Sequence, residues 1–383
     1  MMEKRILYVT YGNPLTEIGG IESYLLTLIK NLKAKLNNTI KISVAYPVFL
    51  NNQNNSAKDE SLFTPVELFL PLPRSNKFLP FAKFLFNFYL VFFIIKHNKE
   101  YDILHVHGDN GTFALRYFRG KRIFSLHGNS RRYYSVIKDQ LWGIRSLSLF
   151  LATLFSGFVE KVGVLSADLI FSDQLEVISY FTAFIKHNNI VYLPNFVDTN
   201  FFKPAENRID IRKKLGIDEN KPYAVWVGTT ALRKRLDLAV KSVLESKNFN
   251  LLVVGPKEYS HEKILNFGFI KKKELLLEIY RASEVILITS SHEGQSIAML
   301  EAMSVGCVPI IRRYLSIPGL VDSENCFLAD SDVSFPQILL NLENKISDLE
   351  TMSNKIRNLA VEVFSVDKVI SRLVEYYGIK LTV

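Results

Sequence analysis

Cysteine is nearly missing from this 383-residue chain, with only Cys307 and Cys326 present. Two such cysteines form neither a disulfide framework nor a metal-ligand spacing, so a reducing cytosolic compartment is expected and neither thiol reads as a nucleophile. Long hydrophobic runs are missing too. The longest uncharged apolar run of the N-terminal half, residues 84–95, covers about 12 positions where a membrane span needs about 20. The run at 146–159 is also too short. Residues 1–5 lead directly into an apolar strand pattern at 6–10, which is not the layout of a secretion signal. No solenoid-length repeat, Walker loop or dinucleotide fingerprint is found. No nucleic-acid-binding motif accompanies the charge, so nucleic acid is not an expected partner.

What is present is an ordinary globular balance, 48% hydrophobic and 22% charged, over a length that suits two domains. The charge is lopsided. Residues 1–195 carry 22 Lys and Arg against 14 Asp and Glu, a balance of +8 out of the chain's +9. That excess coincides with aromatic-rich segments at 78–95 and 141–159 and with Lys121, Arg122, Arg131 and Arg132. Two readings stand side by side: core helices with basic residues that merely solvate the surface, or a face that docks on an anionic membrane.

Apolar strand patterns alternate with helical ones throughout. Strands are expected at 6–10, 40–46, 103–106, 122–126, 169–172 and 190–193, with helices between them. The rhythm restarts at 224–227, 251–254, 266–270, 285–288 and 308–311. Such a βα repeat builds parallel sheets covered by helices, so the fold class is α/β, two Rossmann-like doubly wound domains facing a cleft. The boundary is expected at 195–204, and the polar, asparagine-rich stretch 51–60 reads as a mobile loop.

The most informative stretch is 285–311. A buried strand is followed by a polar loop with Glu293, then by a helix that opens at Ser296, a good cap residue, and stops at Gly306. That helix is apolar almost all round and is expected to be buried, yet it carries Glu301. A buried carboxylate needs hydrogen-bond donors, and sugar hydroxyls are suitable ones. Taken alone, the two glutamates also fit a solvated loop and an exposed stripe.

Other candidates lie at expected carboxyl ends of parallel strands, the edge where α/β sheets bind ligands. Gly19 and Gly20 open the first helix, either as a plain turn or as a place where backbone N–H groups approach an anion closely. His105, His107 and His127 follow two strands; a metal would need Asp109 as third ligand, and none is expected. Arg233, Lys234 and Arg235 occupy the loop after the first strand of the second domain, where cations oppose the helix dipole and suit a diphosphate.

The chain resembles family 4 of the glycosyltransferases, the retaining enzymes of GT-B fold. The resemblance spans Gly19-Gly20, Asp102 to His107, Leu126-His127-Gly128, Pro194-Asn195, Phe202, Pro204, Gly228 to Lys234 and Glu324-Asn325. Its most specific part is Glu293-Gly294 through Leu300-Glu301-Ala302-Met303, with Gly306 and Pro309. By this resemblance residues 1–195 form the acceptor side, 196–365 the nucleotide-sugar side, and 366–383 a helix crossing back to the first domain. Glu301 would hold donor ribose hydroxyls, Glu293 hydroxyls of the transferred sugar, and Arg233 and Lys234 the diphosphate. His127 would lie beside the transferred sugar. Gly19, Gly20, Gly228, Gly294, Gln295, Ser296, Ile297 and Phe269 complete the donor-binding set.

The implied reaction uses a nucleotide-diphosphate sugar as substrate, with no permanently bound cofactor and no metal. The basic, aromatic first half points to a lipid-linked or cell-envelope acceptor, and the expected location is cytoplasmic or peripheral on the cytoplasmic face of a membrane. Thr229, Arg235, Phe196 and Cys326 depart from the family pattern, which has arginine after the loop glycine and glycine at the other three. A sugar-nucleotide epimerase or a phosphorylase of the same fold, and a non-catalytic nucleotide-binding module, remain as alternatives.

Overall fold

The structure, a computed structural model, describes residues 3–16, 20–36, 39–50, 61–74, 79–127, 144–183, 189–229, 231–255, 259–343, 345–346 and 348–379. Gly19, Arg131, Arg132, the expected loop at 51–60 and all of 130–143 lie outside them. The chain divides into two compact units, residues 1–194 with 370–383, and residues 195–369.

The first unit is built on a parallel seven-stranded sheet: β1 (Lys4–Val9), β2 (Ile40–Phe49), β3 (Thr64–Leu70), β4 (Ile103–His107), β5 (Lys121–Leu126), β6 (Leu169–Ser172) and β7 (Ile190–Tyr192). Their order is β3-β2-β1-β4-β5-β6-β7, so the winding reverses between β1 and β4. Ile6, Leu7, Tyr8 and Val9 are completely buried. Both faces of the strand are therefore covered, as the near-continuous apolar run demands. The strand β3 was not expected. It is an edge strand with an exposed face, and Pro65 and Glu67 interrupt the apolar pattern that marks the others.

Helices α1 (Gly20–Leu36), α2 (Leu79–His97), α3 (Thr112–Leu115), α4 (Ile144–Ser166) and α5 (Leu175–Thr182) connect these strands. Gly111, at φ +89°, lets α2 and β1 approach: a Cβ there would lie 2.5 Å from Leu90 Cδ2 and 2.7 Å from Val9 Cγ1. Among the described residues, no helix is long and apolar enough to cross a membrane.

The second unit repeats the plan with β8 (Tyr223–Val227), β9 (Asn250–Val254), β10 (Ile264–Gly268), β11 (Val285–Ile288), β12 (Val308–Arg312) and β13 (Phe327–Ala329). The order is β10-β9-β8-β11-β12-β13, all parallel, with the reversal between β8 and β11. The expected strand at 266–270 instead ends at Gly268, whose φ of +63° breaks the extended backbone. Helices α6 (Arg208–Leu215), α7 (Leu236–Glu245), α8 (Lys273–Ala282), α9 (Ile297–Ser304), α10 (Ser334–Leu342) and α11 (Asp348–Val363) surround the sheet.

The last helix, α12 (Val366–Tyr377), begins in the second unit, and its residues from Ile370 onward cluster with the first. Tyr377 there shares a 2.7 Å hydrogen bond with Tyr8 and another with His105.

Candidate active site

In open α/β sheets the crevice at the reversal of strand order, outside the carboxyl ends of the strands, is where ligands bind. In the second unit that place lies between β8 and β11. The loop after β8 carries Arg233 and Lys234 in a single turn of 3-10 helix, Leu232–Lys234, and the loop after β11 carries Glu293.

The two loops are laced together. The Ser291 N–H donates to the Arg233 carbonyl at 2.7 Å, and the Arg233 guanidinium donates to the His292 carbonyl at 3.1 Å. Thr289 Oγ1 donates to the carbonyls of Lys234 and Arg235 at 2.9 and 2.8 Å. Lys234 Nζ forms an ion pair with Glu293, whose other carboxylate oxygen accepts from Ser290 Oγ at 2.7 Å. Two further side chains fasten the same loop from the other side. Arg312 Nε donates to the Ser290 carbonyl at 3.0 Å, and Tyr314 Oη donates to the Ser291 carbonyl at 3.0 Å. The carbonyls of Ser290, Ser291 and His292 thus all have donors, and Glu293 stands on a segment fixed before it.

Ser296 caps α9 as expected, its side chain accepting from the Met299 N–H, and Gly306 ends the segment at φ +85°. Gln295 is buried, where its Oε1 accepts from the Asn195 N–H at 2.6 Å. Met299, Leu300, Ala302, Met303 and Ser304 face the core, while Ile297, Ala298 and Glu301 share an accessible stripe. The expectation of an all-round buried helix is corrected here: Ile297, Ala298 and Glu301 are only partly buried, and Ala298 still packs against the core. Glu301 already has one hydroxyl partner within the protein, Tyr280, at 3.0 Å. Desolvation pushes its carboxyl up to about 7, against the opposing Tyr280 hydrogen bond and the Lys273 charge.

Gly228 follows β8, and the space for its Cβ is taken by the Trp226 ring at 2.6 Å, so this position admits little else. Phe269 lies past the edge strand β10 and is 58% exposed. It is separated from β8 by β9.

The first unit offers a different set at its own strand-order reversal. Gly20 opens α1 as expected. His105, His107 and His127 form a ladder, with ring centroids 4.3 Å apart in the first pair and 5.3 Å in the second. His105 is held between Tyr377 and Ser125, each at 2.7 Å, and His107 Nδ1 meets His127 Nε2 at 3.0 Å. Burial lowers all three, His105 to about 3 and His127 to about 4, so His127 is a neutral hydrogen-bonding group at neutral pH. Asp109, the third ligand a metal would need, is bound instead by Lys83 at 2.9 Å and Ser156 at 2.8 Å.

Residues 207–357 match the family of glycosyl transferases group 1. Over 295 residues the chain is 22% identical to an alpha-galactosylglucosyldiacylglycerol synthase of Streptococcus pneumoniae, covering 73% of this chain and 77% of that protein. Over 209 residues it is 30% identical to a UDP-Gal:alpha-D-GlcNAc-diphosphoundecaprenol alpha-1,3-galactosyltransferase of Escherichia coli, covering 49% and 54%, about half the length of that relative. The chain is a glycosyltransferase. Its GT-B fold is that of a sucrose-phosphate synthase from Thermosynechococcus elongatus, with a TM-score of 0.80 at 16% identity over 98% of both chains.

Three departures of this glycosyltransferase from the family pattern now have physical accounts. Arg235, where the family has glycine, keeps the left-handed backbone that glycine favours, φ +50°, and is tied there by ion pairs to Asp237 at 2.9 Å and Asp332 at 3.1 Å. Phe196 and Cys326 bury side chains in the second unit where glycine would leave space.

Sequence reasoning missed Tyr280, Arg312 and Tyr314. Only Arg312 left a signal, a cation at the end of an otherwise apolar strand. Tyr280 sits on α8 among apolar residues and looks like core.

Proposed function

We propose that this glycosyltransferase transfers a sugar with retention of configuration from a nucleotide-diphosphate donor bound on residues 196–365 to an acceptor bound on residues 1–195, with 366–383 joining the two. The observation that carries this reading is the meeting of Arg233, Lys234 and Glu293 at the reversal between β8 and β11. Two cations there stabilise negative charge growing on a departing diphosphate, and fixed donors do so without reorganising. Glu293 accepts hydrogen bonds from hydroxyls of the transferred sugar, and Glu301 accepts them from the donor ribose. Gly20 and Gly228 permit close backbone approach, and Gly294, Gln295, Ser296 and Ile297 shape the loop around the donor. Phe269 and Gly19 complete the donor side. His127, neutral, hydrogen-bonds the transferred sugar.

As the bond from anomeric carbon to diphosphate oxygen breaks, the acceptor oxygen attacks the same face. Its proton passes to a donor phosphate oxygen, so no protein nucleophile takes part. The acceptor is a lipid-linked or cell-envelope glycan, as the names of the S. pneumoniae and E. coli relatives suggest. The place of action is the cytoplasmic face of an anionic membrane.

The test is product analysis after incubation with a panel of nucleotide sugars and polyprenyl-diphosphate or diacylglycerol glycolipids. An α-linked glycoside from an α-linked donor is expected, at a rate that chelation by EDTA leaves unchanged. Recovery of an inverted glycoside, or of an epimerised nucleotide sugar alone, overturns the reading.

A pH prediction follows from Glu301. Its carboxylate accepts from ribose hydroxyls more strongly than the neutral acid does, so donor affinity rises with pH through about 7. Tyr280→Phe removes the hydrogen bond that holds the carboxyl down and moves the midpoint upward. Calorimetric titration of a nucleotide diphosphate between about pH 6 and 8 reads this directly, and a flat wild-type profile removes Glu301 from the ribose site.

A further inference from the structure

Helix α2 is apolar on both faces. Ala82, Phe86, Leu90 and Ile94, spaced by four, are buried in the core of the first unit. Phe84, Phe88, Phe92 and Ile95 lie on the other side and are 45–55% exposed. A surface helix of a globular protein normally puts polar residues there, so this face departs from the ordinary amphipathic pattern. Opposite it, α4 presents Phe155 and Phe158, the latter 57% exposed, and α3 contributes Phe113. Together they line a groove of about 630 Å³. Its walls are fixed by edge-to-face pairs, Phe84 with Phe155 at 6.4 Å and Phe113 with Phe158 at 6.3 Å. The Lys83–Asp109–Ser156 network links α2 to α4 near one end.

Among the described residues the charge around the groove is mainly positive, the exposed Glu100 being paired with His97. The sequence of α2 contains no Asp or Glu, that of α3 and its continuation to Lys121 contains none, and the only acid of α4, Glu160, is buried. Arg116 lines the groove and is exposed, as are Lys96, Arg119 and Lys161 around it. Apolar aromatics ringed by cations complement one kind of partner, a surface with negative headgroups over hydrocarbon.

We propose that the groove between α2, α3 and α4 docks the first unit on an anionic lipid bilayer, with a lipid hydrocarbon chain entering the groove and Arg116 and its cationic neighbours meeting the headgroups. This rests on the membrane part of the functional reading and not on the identity of the acceptor. Under this proposal residues 79–95 supply both a core face and a docking face.

The test is flotation of the full chain with vesicles of phosphatidylglycerol and phosphatidylcholine, against vesicles of phosphatidylcholine alone. At low salt the protein floats with the anionic vesicles and largely stays behind with the neutral ones. Replacing Phe88→Asp and Phe92→Asp together lowers the bound fraction about tenfold or more. Arg116→Glu with Arg119→Glu also lowers it about tenfold. All four side chains are exposed, so both variants fold, which circular dichroism and an unchanged thermal midpoint confirm. Wild-type protein that does not float on anionic vesicles overturns the proposal, as does a Phe88→Asp/Phe92→Asp variant that floats like wild type. Sedimentation velocity without lipid checks the rival occupant. A dimer that the same double variant converts to monomer assigns the face to a second copy of this chain. Flotation uses neither donor nor acceptor, so its failure and the failure of the transfer reading are separate results.

Discussion

Glu293→Gln is expected to lower kcat for sugar transfer by about two to three orders of magnitude, the size of effect seen when one preorganised polar group is removed from a reaction centre. The substitution keeps the shape of the side chain and removes its charge, so it isolates electrostatics from packing. Glu293 is held from two sides, by Lys234 and by Ser290. The segment that carries it is pinned through its carbonyls by Arg233, Arg312 and Tyr314. Glutamine cannot hold the Lys234 ammonium as a carboxylate does, and it can present an amide N–H where the sugar hydroxyl needs an acceptor. The loss therefore falls mainly on kcat, with a smaller change in donor KM, because the proposed arrangement assigns ribose to Glu301 and the diphosphate to Arg233 and Lys234. Steady-state kinetics on donor and acceptor, beside a thermal melt, separate this from unfolding. A Glu293→Gln enzyme that transfers at the wild-type rate removes the loop from the reaction.

Arg212→Ala is expected to destabilise the second unit by about 3–5 kcal/mol, the range for breaking a buried ion pair on one side. Arg212 is 6% exposed and Glu284 7%. The guanidinium donates to both Glu284 oxygens at 2.6 and 2.8 Å, to the Ala282 carbonyl and to the Glu219 carbonyl, and it lies over the Tyr223 ring at 5.0 Å. These bonds tie α6 to the turn that leads into β11. Among the described residues, truncation leaves Glu284 with Arg208 at 3.1 Å and the Tyr223 N–H at 2.7 Å. Pairing Arg212→Met with Glu284→Leu removes both charges together and recovers a large part of the loss. Urea unfolding followed by emission of the buried Trp226, in a Trp142→Phe background, measures both effects. A midpoint for Arg212→Ala equal to that of wild type shows that the network is not holding the unit.

The parallel strands, their helices and the restart of the pattern in the second unit were legible in the sequence because a strand buried on both faces must be apolar along its length. Ile6 to Val9 within the first strand, and Val285–Ile288, announce themselves this way. The edge strand Thr64–Leu70, half exposed and holding Pro65 and Glu67, does not. The cap at Ser296 and the left-handed stop at Gly306 were also readable, since each rests on the local chemistry of one residue.

Glu293, Arg233 and Lys234 were found in the sequence as residue types at strand ends and Glu301 as a carboxylate on an apolar helix, but what each one touches was not. The ion pair of Lys234 with Glu293 joins residues 59 positions apart, and the Tyr280–Glu301 hydrogen bond joins residues 21 apart. Distance along the chain carries no information about such pairs; the order β8-β11 brings the two loops together, and that order is a property of the sheet. The same holds for the aromatic groove. From the sequence, Phe84, Phe88 and Phe92 were as consistent with core as with surface. Only the packing of α2, which buries Phe86, Leu90 and Ile94, decides which rings face the solvent. Composition and periodicity thus set the elements and the candidate chemistry, because both act within a few residues. Partners, protonation and exposed faces were decided by tertiary structure, because desolvation and hydrogen bonding depend on what the rest of the chain brings near.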